Sequence, residues 1–104
     1  MKSKADLFHR TKIILDSGLI REIVIWRVQR SEAYPEGIRY RLLLADPLSK
    51  KIISLFDNHA PKGHHYHDSK GSEFLYEYAS MEKLINDFLE IADIEEKLYE
   101  NSKN

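Results

Sequence analysis

From Arg10 to Asp57 the apolar residues recur on a two-residue period, the repeat of strands whose side chains alternate between two faces. Thr11–Leu15 predicts a short strand. Asp16-Ser17-Gly18 predicts a turn, with Gly18 free to take the positive φ that hairpins often require. Leu19–Val28 is rich in β-branched residues and predicts a second strand. Glu22, Val24, Trp26 and Val28 share one of its faces; Ile23, Ile25 and Arg27 share the other. Both faces are largely apolar near the middle, so this strand is expected to be central or packed on both sides, with Trp26 in the core. Pro35 and Gly37 mark residues 30–37 as a loop. Ile38–Asp46 alternates well, with Ile38, Tyr40, Leu42 and Leu44 opposite Arg39, Arg41 and Leu43. Asp46-Pro47-Leu48-Ser49 is a turn and Lys51–Phe56 a fourth strand. Connections this short favour antiparallel neighbours.

The period then disappears. Residues 58–72 hold Pro61, Gly63 and Gly71 and no regular repeat, so they read as a long loop, a feature that is usually functional or disordered. Glu73–Tyr78 predicts a short fifth strand. Ser80 is a good helix N-cap, and Met81, Leu84, Ile85, Phe88, Leu89 and Ala92 follow at helical spacing. That stripe should cover one face of the sheet, and it thins after Ile94. The expected class is α+β: an antiparallel meander of four to five strands packed against a C-terminal helix. Residues 1–104 form a single domain, with 1–9 and 99–104 expected to be frayed.

Composition narrows the setting. A chain of 104 residues suffices for one core, burying roughly two thirds of its unfolded surface. It holds no cysteine, which excludes disulfides, thiolate-bound zinc and iron–sulfur clusters. No apolar run follows the basic start, and none approaches the ~18 residues of a membrane span. The protein is therefore expected to be soluble and cytoplasmic, without a membrane partner. Net charge is −1, yet the charge is segregated. Arg10, Lys12, Arg21, Arg27, Arg39 and Arg41 lie in the first half; Glu73, Glu77, Glu82, Asp87, Glu90 and Glu95 lie in the last third. Such segregation leaves room for a basic face.

The chemistry concentrates in one segment. His59, His64, His65 and His67 are four of the chain's five histidines. Imidazole titrates near neutrality and is the commonest metal ligand, so the cluster admits more than one reading. One is a divalent metal held by His59, His65 and His67, with Asp57, Asp68 or Glu73 completing the set. Another is metal-independent cleavage of RNA, which needs a base for the 2′-hydroxyl, an acid for the leaving 5′-oxygen and cations for the phosphate. His64, His65 and His67, with Asp57 and Glu73, are the candidate catalytic groups. Lys62, Arg39 and Arg41 are candidate phosphate cations, and Tyr66 or Tyr40 can stack on an unpaired base. A third reading is structural: any single histidine is as apt to bond a backbone carbonyl as to act, although four together are not. The loop can also serve as an RNA- or protein-recognition surface without chemistry. His9, outside the cluster, receives no role. A Gly-rich nucleotide loop, a Gly-x-Ser-x-Gly elbow and a His-Glu-x-x-His helix are absent.

Phe56-Asp57-Asn58-His59, then Gly63-His64-His65-Tyr66-His67, then Glu73, Tyr76 and Tyr78, then Leu84 and Asp87-Phe88 resemble the TumE family of small toxins from prokaryotic toxin–antitoxin pairs. The hairpin Ile13–Gly18 and the strand Tyr40-Arg41-Leu42 are similar too. The resemblance covers most of the chain, and the Asp-Asn…His-His-x-His spacing is its most specific part. It implies the toxin component of a type II pair, encoded beside a small antitoxin that often carries a helix-turn-helix. It supports the toxin role more than it supports a ribonuclease. The matching positions are Asp57, Asn58, His64, His65, His67 and Glu73.

Overall fold

The computed structural model describes residues 5–102. Along the chain run β1 (Asp6–Ile14), β2 (Ile20–Arg27), β3 (Ile38–Asp46), β4 (Lys51–Asp57), β5 (His65–His67), β6 (Glu73–Leu75) and α1 (Met81–Ser102). The strands form one antiparallel sheet in sequence order, and α1 packs on β3 and β4. The α+β class and the meander are those the periodicity predicts, with six strands instead of four to five. The additional strand lies inside the segment expected to be an irregular loop. His65, Tyr66 and His67 pair with Asp57, Phe56 and Leu55 on one side and with Leu75, Phe74 and Glu73 on the other. Three residues are too few for a two-residue period to register in sequence.

Among the described residues, the first strand and the helix reach further than the periodicity predicts. β1 begins at Asp6 and not at Thr11, so residues 6–9 are part of the sheet; residues 1–4 lie outside the described residues. The helix continues through Ser102, and the Tyr99 hydroxyl donates to Asp46 Oδ2 at 2.7 Å, which fastens its last turns to the sheet. Residues 103–104 lie outside the described residues.

Register explains which side chains form the core. Ile23 stands opposite Leu42, Ile25 opposite Tyr40, and Leu42 opposite Phe56, so these share the face beneath α1. Leu84, Phe88 and Ala92 close over them from the helix. Each fully buried large side chain here contributes about 1.5–3 kcal/mol. In β4, Ser54 faces Leu44 while Ile52 faces Ala45, so Ile53 is the extra residue of a bulge, and both Ile53 and Ser54 become buried. The helix starts as its sequence predicts: Ser80 Oγ accepts the Lys83 amide at 3.1 Å. Among the described residues, no helix is long and apolar enough to cross a membrane.

Among the described residues, no helix lies over the reverse face. It carries Glu22, Val24 and Trp26 on β2, Arg39 and Arg41 on β3, Asp57 on β4, His65 and His67 on β5 and Glu73 on β6. Trp26, expected in the core, is instead half-buried here, with the Arg39 guanidinium 4.7 Å from its ring. Its alternation partners Glu22 and Val24 were the signal that it faces away from Ile23 and Ile25.

Candidate functional site

β4 ends in a buried amide. Asn58 Oδ1 accepts the Tyr40 amide at 2.9 Å, and its Nδ2 donates to the Ile38 carbonyl at 2.9 Å. The side chain thus replaces one rung of the β3–β4 ladder and lets the main chain leave the sheet. The neighbouring Asp57 bonds locally instead: its Oδ1 accepts the His59 amide at 3.2 Å. The chain returns through Gly63, which takes φ +75°, and enters β5. There the pleat decides the chemistry, because neighbouring residues point to opposite faces.

His65 and His67 point to the open face. Their rings stand edge to face with centroids 5.0 Å apart. His65 is buried, with Nδ1 at 2.8 Å from the Gly63 carbonyl and Nε2 at 3.3 Å from Asp57 Oδ1. A carbonyl only accepts, so Nδ1 carries hydrogen and Nε2 is the nitrogen free to exchange a proton. His67 Nε2 lies 3.4 Å from Glu73 Oε1, and Lys62 Nζ donates to the same oxygen at 2.7 Å. The lysine's hydrogen bond holds the Glu73 carboxyl below its usual range, so Glu73 is a carboxylate. Cross-strand pairing sets Arg41 opposite Asp57 and Asp57 opposite His65 in one transverse row. Beside this row is a cleft of about 350 Å³ lined by Trp26, Arg39, Tyr40, Arg41, Asp57 and His59. Arg41 also reaches the buried Glu22 at 3.5 Å, a carboxylate it shares with Arg10.

His64 lies elsewhere. Its ring stacks on Tyr78 with centroids 4.9 Å apart, and its Nε2 donates to Glu36 Oε1 at 3.0 Å. Nδ1 then accepts from the Tyr40 hydroxyl at 2.8 Å. Burial foremost, then the neighbouring Tyr76, Asp57 and Glu36, pushes the Tyr40 phenol far above its ordinary value, so it remains a donor. This chain of bonds ties the 30–37 loop to the histidine segment. Tyr66 also faces the helix side, stacked between Phe56 at 4.7 Å and Phe74 at 4.9 Å.

Of the residues singled out from sequence, the open face brings together His65, His67, Asp57, Glu73 and Lys62, with Arg39 and Arg41 along the adjoining cleft. It does not bring His64 or Tyr66 to them. Among the described residues, the three groups whose donor atoms all lie within 4.8 Å of one another are His65, His67 and Glu73; His59 is not one of them. Sequence reading missed Trp26 as a flat surface at the cleft, and it missed Glu36, whose loop carries no periodic signal.

The model of the family described as Toxin TumE matches residues 4–98. The chain belongs to the TumE toxin family. No curated protein and no solved structure matches it. Its role as a toxin, and with it the expectation of an antitoxin partner, follow from membership of the TumE family. The matched span takes in the six described strands and α1 up to Leu98, so the candidate residues lie wholly within it.

Proposed function

We propose that this TumE-family chain is the toxin of a type II pair and that it acts on RNA, cleaving it with His65 and His67 as a general acid–base pair. The observation that carries this reading is their placement side by side on the uncovered face, each beside a carboxylate. In the reaction, one imidazole takes the 2′-hydroxyl proton as that oxygen attacks phosphorus. The other gives a proton to the leaving 5′-oxygen, so a 2′,3′-cyclic phosphate and a 5′-hydroxyl form. Asp57 holds the His65 ring and stabilises its charged form. Arg39, Arg41 and Lys62 supply positive charge for the phosphate, and the Trp26–Arg39 stack offers a flat surface for an unpaired base. His64 serves as a positioning residue for the loop. The cognate partner is a small antitoxin, of the helix-turn-helix kind that the family resemblance implies.

Product analysis tests this. Purified toxin incubated with total cellular RNA should yield cyclic-phosphate ends in molar excess over enzyme, at a rate with a bell-shaped pH profile near neutrality. Growth arrest with stoichiometric RNA binding and no turnover would instead make the open face a recognition surface.

A further inference from the structure

We infer that His65, His67 and Glu73 form a regulatory site for a divalent cation of the imidazole-preferring class, zinc foremost. Each contributes one donor atom, and the three atoms lie within 4.8 Å of one another. Donors around a tetrahedral zinc at ~2.0–2.2 Å stand roughly 3.3 Å apart. His67 Nε2 and Glu73 Oε1 are already 3.4 Å apart, so only the His65 ring has to close in.

The surroundings favour a cation as well. The Gly63 carbonyl fixes hydrogen on His65 Nδ1, as an outer partner does for a metal-bound imidazole, and presents the Nε2 lone pair. Asp57 Oδ1 lies 3.3 Å from that nitrogen and places a carboxylate next to the three donors, where it attracts a cation. Lys62 already places one positive charge on Glu73. A zinc ion takes over that role, displaces the ammonium and leaves its fourth position to solvent.

Occupancy removes from the acid–base pair the two nitrogens it uses. Zinc therefore switches the toxin off, a consequence that rests on the ribonuclease reading, whereas the binding itself does not.

The test uses untagged full-length protein stripped with EDTA, so that nickel from affinity resin is absent. Calorimetric titration with zinc chloride should show about one equivalent bound. His67→Ala and Glu73→Gln should each weaken it about tenfold or more. His59→Ala should leave it unchanged, and Lys62→Ala should tighten it. Absence of stoichiometric binding overturns the site. So does binding that His59→Ala weakens as much as Glu73→Gln, which marks a flexible loop chelating through whichever imidazoles it offers. RNA cleavage that is as fast in the zinc-loaded as in the stripped protein overturns the switch. Zinc binding with the expected variant pattern, in a protein that cleaves no RNA in either state, leaves the site standing and removes the acid–base reading.

Discussion

Beneath α1 the sheet presents Ile25, Tyr40, Leu42 and Phe56, each almost wholly hidden from water. At the neighbouring positions of the same strands, the reverse face presents Val24, Arg39, Arg41 and Asp57. The first face is sealed by the helix, so its residues are held by packing, and the buried Asn58 amide at its edge is bonded through both its oxygen and its nitrogen. Among the described residues no helix covers the second face, so its charges remain hydrated or paired; His67 stays partly exposed, while His65 is buried beside Asp57. The segment 64–67 straddles the boundary. His64 and Tyr66 join the helix side, and His65 and His67 join the open side. Their separation teaches that the three histidines of this segment are not one unit but two, His64 tying the segment to the 30–37 loop and the pair His65 and His67 standing on the opposite face.

That division can be broken at several points. The largest effect is expected in the sealed face. Phe88→Ala removes a ring packed edge-on against Phe56 and should cost about 3–5 kcal/mol, read as a fall in the urea midpoint together with loss of toxicity. His67→Ala on the open face should do the reverse. RNA turnover and growth arrest should fall about 10²–10⁴-fold while the urea midpoint barely moves. An H67A protein that is folded and fully toxic would sink the catalytic assignment of this face.

Asn58→Ala strips the Tyr40 amide and the Ile38 carbonyl of their partner and should destabilise by on the order of 2–3 kcal/mol. His64→Ala should cost about 1–2 kcal/mol, because Tyr40 and Glu36 lose their bridge. Activity per folded molecule should remain. If turnover instead collapses as it does for His67→Ala, the two-unit division is wrong.

The smallest effect concerns acid. Lys62 holds Glu73, and Lys83 together with the Tyr76 hydroxyl holds Asp87, below the usual carboxylate range. Both carboxylates have a lower pKa folded than unfolded, so their contribution is complete above the ordinary carboxylate range. It declines as pH falls through the lowered folded-state values. Thermal midpoints measured across that acidic window should drop less steeply in Lys83→Met than in the parent. Equal slopes would show that the Lys83–Asp87 pair contributes nothing to acid stability.

Much of this architecture was legible because long strands and a capped helix repeat their pattern enough times to be read. Ile38–Asp46 alternates over nine residues, and its buried set is the one the alternation predicts. Ser80 and the Leu84, Phe88, Ala92 stripe placed the helix and the face it covers. The Asp57-Asn58…His-His-x-His spacing carried the family. Trp26 was misplaced because an indole's apolar bulk suggests burial, whereas its position in the pleat sets it beside Arg39.

Residue types and local periods thus determined the α+β class, the meander and the segment where imidazoles gather. Tertiary structure alone decided which of those imidazoles meet. Three-residue β5 has no period of its own, and it becomes a strand only because β4 and β6 supply hydrogen-bond partners on either side. That pairing fixes the pleat, sends His65 and His67 one way and His64 and Tyr66 the other, and carries Glu73 across from a different strand to complete the group.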